Sequence, residues 1–247
     1  MYYIKRIIIL LVLLSFISER GYSQTAGFIC NKGIAGNSSS DLLRRLNHDV
    51  IDLNPDLVII MIGTNDLLNS KKMVSVSELI RNLERLSNSL IQHRIDVVMI
   101  SPPPVDSLYL FERHDANSYP LPPNELLKEA RTAMRYLCQK NKFLFIDSYN
   151  FFKSNGIPQH NKDEIIRNVK NSGQKDGVHF TITGNALLAH LIFEKLSEKY
   201  DHLSRFKIVC FGDSLTYGAF MEGEGTATGD TYPAALEKLI TQFLKKE

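Results

Sequence analysis

Four short stretches of this 247-residue sequence carry side chains that do chemistry. Lys207-Ile208-Val209-Cys210-Phe211 is an apolar, β-branched run that stops at Gly212-Asp213-Ser214. That pattern predicts a fully buried parallel strand ending in a sharp turn, with the Ser214 hydroxyl at the strand's carboxyl end. Asp176-Gly177-Val178-His179 precedes an apolar helical pattern, and an Asp three residues before a His can orient and stabilise an imidazolium. Gly33-Ile34-Ala35-Gly36-Asn37-Ser38 places two glycines and an Asn ahead of a helix, where backbone N–H groups can face an anion. Gly63-Thr64-Asn65-Asp66 follows a buried strand, so that Asn65 can aim its amide into a cleft. Each stretch also has an ordinary structural role: a turn, a helix cap, a hydrogen-bonded loop histidine. Together they supply a nucleophile, an Asp-x-x-His dyad and two kinds of oxyanion donor, the parts of an acyl-transfer site.

The elements that must position them alternate. A brief strand at Phe28 to Cys30 leads into the glycine-bearing loop and a helix with Leu42, Leu43 and Leu46 on its apolar face, capped by one of the serines. Asp56 to Ile62 is the clearest buried strand, and a helix from about Ser75 to His93 carries Leu79, Leu83, Leu86 and Leu90 at helical spacing, a core stripe. Asp96 to Ile100 is a strand leading into Ser101-Pro102-Pro103-Pro104. The loop from there to Asn124, with Tyr109 and Tyr119, is long enough to be a wall of a substrate pocket or a stiff surface connection. A helix from Asn124 to Asn141, a strand from Phe143 to Ile146, a helix from about Thr183 to Tyr200 and a last helix from Thr231 to Leu244, with Pro233 in its first turn, complete the pattern. Residues 149–175 are polar and irregular, and no chemistry is assigned to them.

Composition bounds the class. The length suits one α/β domain with a sizeable core. There are 29 Lys and Arg against 27 Asp and Glu, without long runs of one sign, which excludes a nucleic-acid footprint. Cys30, Cys138 and Cys210 form no Cys-x-x-Cys pair, so neither a disulfide framework nor a structural zinc is expected; their apolar settings predict buried thiols. His48, His93, His114, His160, His190 and His202 have no acidic partner at comparable spacing and no metal-ligand pattern, and are read as surface or helix residues. Residues 1–24 read as an export signal: Lys5 and Arg6 precede an apolar run from Ile7 to Ile17, and Gly21-Tyr22-Ser23 offers a cleavage site after Ser23 or Gln24. An uncleaved anchor is the alternative. Export to a periplasm or the outside is expected, with a domain at 25–247 and no stable membrane anchor after cleavage.

The four stretches resemble the four blocks of the SGNH, or GDSL, hydrolase family, and their surroundings resemble its arylesterase and acyltransferase branch: Val209-Cys210-Phe211-Gly212-Asp213-Ser214-Leu215-Thr216, Asp56 to Asp66, Ser101-Pro102-Pro103-Pro104 and Asp176 to Thr181. The resemblance implies a three-layer α/β/α sandwich around a five-stranded parallel sheet of flavodoxin-like type. It implies Ser214 as nucleophile, His179 as base, Asp176 as its partner, and an oxyanion hole from the N–H of Ser214, the N–H of Gly36 and the side chain of Asn65. Gly36 is preferred to Gly33 because the family's donor is the block's second glycine. No metal or organic cofactor is implied. In the family the Gly-Asp-Ser-Leu strand comes first; here it comes last, so the chain resembles a circular permutant in which joining Glu247 to Thr25 restores the usual order. The last strand should then lie between the strands at 27–31 and 56–62. The substrate would be a small-molecule or carbohydrate ester, cleaved by a serine esterase of acetyl-type esters. The alternatives are an acyltransferase or thioesterase on the same residues, or a non-catalytic carbohydrate-binding module.

Overall fold

A computed structural model describes residues 29–244. The expected export signal and the two ends whose joining would restore the family order lie outside the described residues.

Five strands form one parallel sheet: β1 (Ile29–Gly33), β2 (Leu57–Met61), β3 (Asp96–Ile100), β4 (Leu144–Ile146) and β5 (Ile208–Gly212), in the order β1-β5-β2-β3-β4. The last strand therefore sits between the first two, where the sequence predicts it. Both of its edges are hydrogen-bonded, and all five residues of β2 and of β5 are buried. A strand covered on both faces can be apolar throughout, which is why these two runs are the most legible in the sequence.

Alternation along the strands divides the core in two. Val58, Ile60, Val97, Met99, Val209 and Phe211 pack against α1 (Ser39–Asp49), α3 (Val76–Gln92) and α5 (Pro123–Asn141). Leu57, Ile59, Met61, Val98, Ile208 and Cys210 face α8 (Ile182–Lys199) and α10 (Tyr232–Leu244). Leu79, Leu83, Leu86 and Leu90 of α3 are buried, each stabilising the fold by about 2 kcal/mol. The result is the expected α/β/α sandwich. Shorter helices lie in the connections: α2 (Thr64–Leu68), α4 (Ser107–Phe111), α6 (Ser148–Ser154), α7 (Val169–Ser172) and α9 (Ser214–Tyr217).

Several details differ from expectation. β1 runs on through Asn31 and Lys32 to Gly33, because ladder pairing with β5 continues to Gly212 and sustains an extended backbone that the polar residues do not announce. Cys30 lies on that edge strand and is half-buried, whereas Cys138 and Cys210 are buried and burial pushes both thiols up to about 12. The stretch after Tyr149 is not wholly irregular: α6 is capped by Asp147, whose carboxylate accepts the Asn150 N–H.

The tips of β1, β5 and β2 are level, with Gly33 and Met61 both in register with Gly212. Here α9 comes down directly onto the sheet. A Cβ on Gly33 would lie 2.0 Å from the Tyr217 nitrogen, and one on Gly212 would lie 2.2 Å from Thr216 Oγ1 and 2.4 Å from the Met61 carbonyl. Only glycine fits at either place. Gly212→Ala should lower stability by about 1–3 kcal/mol through overpacking, seen as a fall in the urea midpoint at constant m-value. An unchanged midpoint would contradict this packing.

Candidate active site

Ser214 opens α9, two residues past the tip of β5. Asp213 is the helix N-cap: its Oδ1 accepts the Leu215 N–H at 2.9 Å. The first N–H groups of a helix have no partner within the helix, and that of Ser214 is among them. The Ser214 side chain is half-buried and meets His179, whose Nε2 lies 2.9 Å from Ser214 Oγ.

His179 sits on a loop built largely by Asp176. Asp176 Oδ1 accepts the N–H groups of Val178 and His179, both at 3.0 Å, and folds the loop back on itself. The same carboxylate lies against His179 Nδ1, at 2.9 Å from Oδ2, and so leaves Nε2 to face the serine. Burial works to raise the pKa of Asp176. The hydrogen bond and charge of His179 and the two backbone donors outweigh it and hold the carboxyl down at about 2. Arg113 Nη1 and Arg167 Nε stand 3.7 and 3.6 Å from its oxygens. Arg167 comes from the stretch to which the sequence assigns no chemistry. It also holds the loop through its backbone, with N–H donation to the His179 carbonyl at 2.8 Å.

Across the cleft, the Ile34–Asn37 turn is closed by Asn37 N–H on the Ile34 carbonyl, with Gly36 at φ +77°. A glycine is suited to that conformation, and the Gly36 N–H is not used by the turn's own bond. One N–H of the Asn65 amide donates to the Asn37 carbonyl at 3.0 Å, which fixes the side chain and leaves the second N–H for the cleft. Ser214, His179, Gly36 and Asn65 line a single cleft of about 340 Å³. Asp176 lies behind it. The five side chains and backbone groups expected from sequence are thus brought together from four connections.

The loop from Ser101 to Asn124 does form a wall, through Leu110, Arg113 and His114. The two tyrosines do not: Tyr109 is buried and donates to Asn161 Oδ1, and the Tyr119 hydroxyl donates to the Leu68 carbonyl. One histidine departs from the reading as a surface or helix residue: His114 is half-buried and lines the cleft, with Nδ1 2.9 Å from Ser70 Oγ. His160 is exposed, as expected, but its Nδ1 pairs with Asp106 Oδ2 at 2.7 Å. Asp106 lies 54 residues away in the chain, so no local spacing could have disclosed it.

Buried polar groups hold the donor loops. Both Asp66 oxygens accept the Ser39 N–H at 3.0 Å, the Ser39 hydroxyl donates to the same carboxylate, and Asn82 donates to that hydroxyl at 2.9 Å. Arg45 donates to the carbonyls of Lys32 and Gly212, both at 2.9 Å, and to Asn37 Oδ1 at 2.7 Å. It thereby joins the tips of β1 and β5 to the turn that carries Gly36.

A family model described as GDSL-like lipase/acylhydrolase matches residues 11–192. The chain belongs to that family and is a carboxylic ester hydrolase. The matched span contains the blocks at 33–38, 63–66 and 176–179; Gly212-Asp213-Ser214 lies beyond it. An acetylxylan esterase of Geobacillus stearothermophilus is 24% identical over 171 residues, which cover 68% of this chain and 71% of that protein. A crystal structure of the lipase/acylhydrolase from Enterococcus faecalis is similar with a TM-score of 0.51 and 28% identity, over 67% of this chain and 73% of that one. A catalytic mutant of the Geobacillus acetylxylan esterase aligns with a TM-score of 0.54 at 22% identity, over 67% and 70%, a likeness of fold.

Asp213 generates a pH prediction. Its complete burial, with Oδ2 lacking a hydrogen-bond partner, pushes its pKa up to about 7; Asp66 adds to the rise, and the Leu215 N–H and His179 oppose it. A carboxyl raised above its unfolded value of about 4 contributes stability that is full below that value and declines as pH rises towards 7. Asp213→Asn should abolish that decline, read as a flatter unfolding free energy between about pH 4 and 7. An equal slope in both proteins would contradict the assignment.

Proposed function

We propose that the protein hydrolyses short-chain, acetyl-type esters by a serine mechanism in which Ser214, His179 and Asp176 act as nucleophile, general base and orienting carboxylate. The single observation that carries this is the continuous contact from Asp176 through His179 to Ser214, with Nε2 2.9 Å from Oγ and Nδ1 2.9 Å from the carboxylate. His179 takes the Ser214 proton as Oγ attacks the ester carbonyl, and then gives it to the departing alkoxide. Water repeats the sequence on the acyl-enzyme. The N–H of Ser214, the N–H of Gly36 and the amide of Asn65 receive the charge on the carbonyl oxygen. No metal or organic cofactor is needed for these steps.

Similarity to an acetylxylan esterase supports an acetylated carbohydrate as the alcohol component. The chain order supports reading the protein as a circular permutant of its family. The Ser214 strand is encoded last yet lies between β1 and β2, and the family model matches only the part of the chain before it. The basic and apolar sequence of residues 1–24 supports export, with action on an extracellular or periplasmic ester.

Ser214→Ala should abolish turnover of an aryl acetate and block labelling by a fluorophosphonate, with the circular dichroism spectrum unchanged. Retained turnover would refute the nucleophile. Asn65→Ala should cost about 3–4 kcal/mol of barrier, lowering kcat by 10²–10³ with KM little changed. A change in KM alone would exclude Asn65 from the oxyanion hole.

A further inference from the structure

One large apolar side chain in the cleft plays no part in that chemistry. Phe220 lines the cleft that holds Ser214 and His179, and it is 62% exposed. Its φ is +70°, a region costly for a bulky side chain. Among the described residues the other non-glycine residues with positive φ are Asn54, Arg94, Lys142, Asn161 and His202, and none is a large apolar residue. Nothing in the core demands the strained conformation, because the ring is not in the core. Local bonds enforce it instead: Ala219 N–H donates to the Ser214 carbonyl at 3.0 Å, Met221 N–H to the Gly218 carbonyl at 3.0 Å, and Phe220 N–H to Glu224 Oε2 at 3.2 Å.

What the strain achieves is a placement. The ring stands 5.2 Å from the His179 imidazole, nearly perpendicular to it at 82°, and Arg167 lies 4.8 Å from its centroid while facing Asp176. Phe220 is thus held against the histidine on the side of the cleft away from the core. In the tetrahedral intermediate the oxyanion points to Gly36 and Asn65. The leaving oxygen must be within reach of His179 Nε2 to receive its proton. The alcohol portion of the ester therefore passes beside His179, and the surface it meets there is an exposed aromatic ring.

We infer that Phe220 is a specificity residue for the leaving alcohol, forming an apolar platform for alcohols that present a ring face, whether a sugar or an aryl group. This rests on the Ser214–His179 mechanism proposed above. The acyl group, on the other side of the reacting carbon, makes no use of the platform.

The test compares Phe220→Ala with the full-length wild type on methyl acetate, phenyl acetate and a mono-acetylated xyloside, and on phenyl butyrate. Taking variant-to-wild-type ratios cancels the intrinsic reactivity of each leaving group. The loss in kcat/KM should be roughly tenfold or more on a ring-bearing acetate, carried by KM, and less than about threefold on methyl acetate. A loss on both ring esters defines a general ring platform; a loss confined to one identifies that ring as the ligand. The loss on phenyl butyrate should match that on phenyl acetate. Equal losses on all esters, or a loss that grows with acyl length, would overturn the inference. Phe220→Gly should give the same change in selectivity with a Tm above that of Phe220→Ala, because glycine accepts the backbone angle; a change in selectivity seen in Phe220→Ala but not in Phe220→Gly would assign the effect to the backbone and overturn the inference. Wild-type protein that turns over none of these esters and is not labelled at Ser214 would defeat the underlying mechanism, whereas active wild type with unmoved ratios would defeat only the platform.

Discussion

The site depends on how closely a short helix can approach the end of a sheet. α9 rests on the tips of β1 and β5 without a layer of side chains between them, because Gly33 and Gly212 have none to interpose. That approach sets the height of Ser214 above the strands, and with it the reach to His179. A methyl group at either tip would lift the helix by more than a hydrogen bond can tolerate. The strand ends are in turn kept level by the ladder on both sides of β5 and by Arg45, whose guanidinium binds the Lys32 and Gly212 carbonyls together.

Around this contact the polar groups fall into two sets with different tasks. On one side, Asp176 is buried but well supplied with donors and cations, and it stays ionised beside His179. On the other, Asp66 and Asp213 are buried with fewer donors, and burial raises both pKa values. Asp66 spends its acceptors on Ser39 and so ties α1 to the helix that carries Asn65. The carboxylate held low, Asp176, is thus the one against the imidazole, while the two whose pKa values are raised lie under the Ser214 turn and the loop that carries Asn65.

Much of this was legible in the residue order. The buried strands announced themselves as apolar runs, and leucines at helical spacing marked α3 and α8, because burial on one or both faces leaves a periodic trace. The chemical residues were legible because Gly36, Asn65 and Ser214 follow such runs and the Asp176–His179 pair immediately precedes one. The unreadable parts are those fixed by distant partners. β1 extends through polar residues because β5 pairs with it. Arg167 and Arg113 reach Asp176 from separate loops, His160 finds Asp106, and Phe220 owes its angle to Glu224 and to the end of α9. In the loop expected to form the wall, Tyr109 and Tyr119 direct their hydroxyls to Asn161 Oδ1 and the Leu68 carbonyl, partners that composition does not encode.

The seat of β5 has a consequence for the order of assembly. During synthesis β1 leaves the ribosome first and, among the described strands, has no neighbour other than β5. β2, β3 and β4 can pair as soon as they emerge, but the slot beside β2 stays open until Ile208–Gly212 is made. Closing so long a loop is slow and leaves a bare strand edge exposed meanwhile. The strand that fills the slot also brings Ser214. A polypeptide cut short of that strand therefore holds His179 and Asn65 without Ser214 to meet them, and the Ser214–His179 contact forms in the same event that completes the sheet.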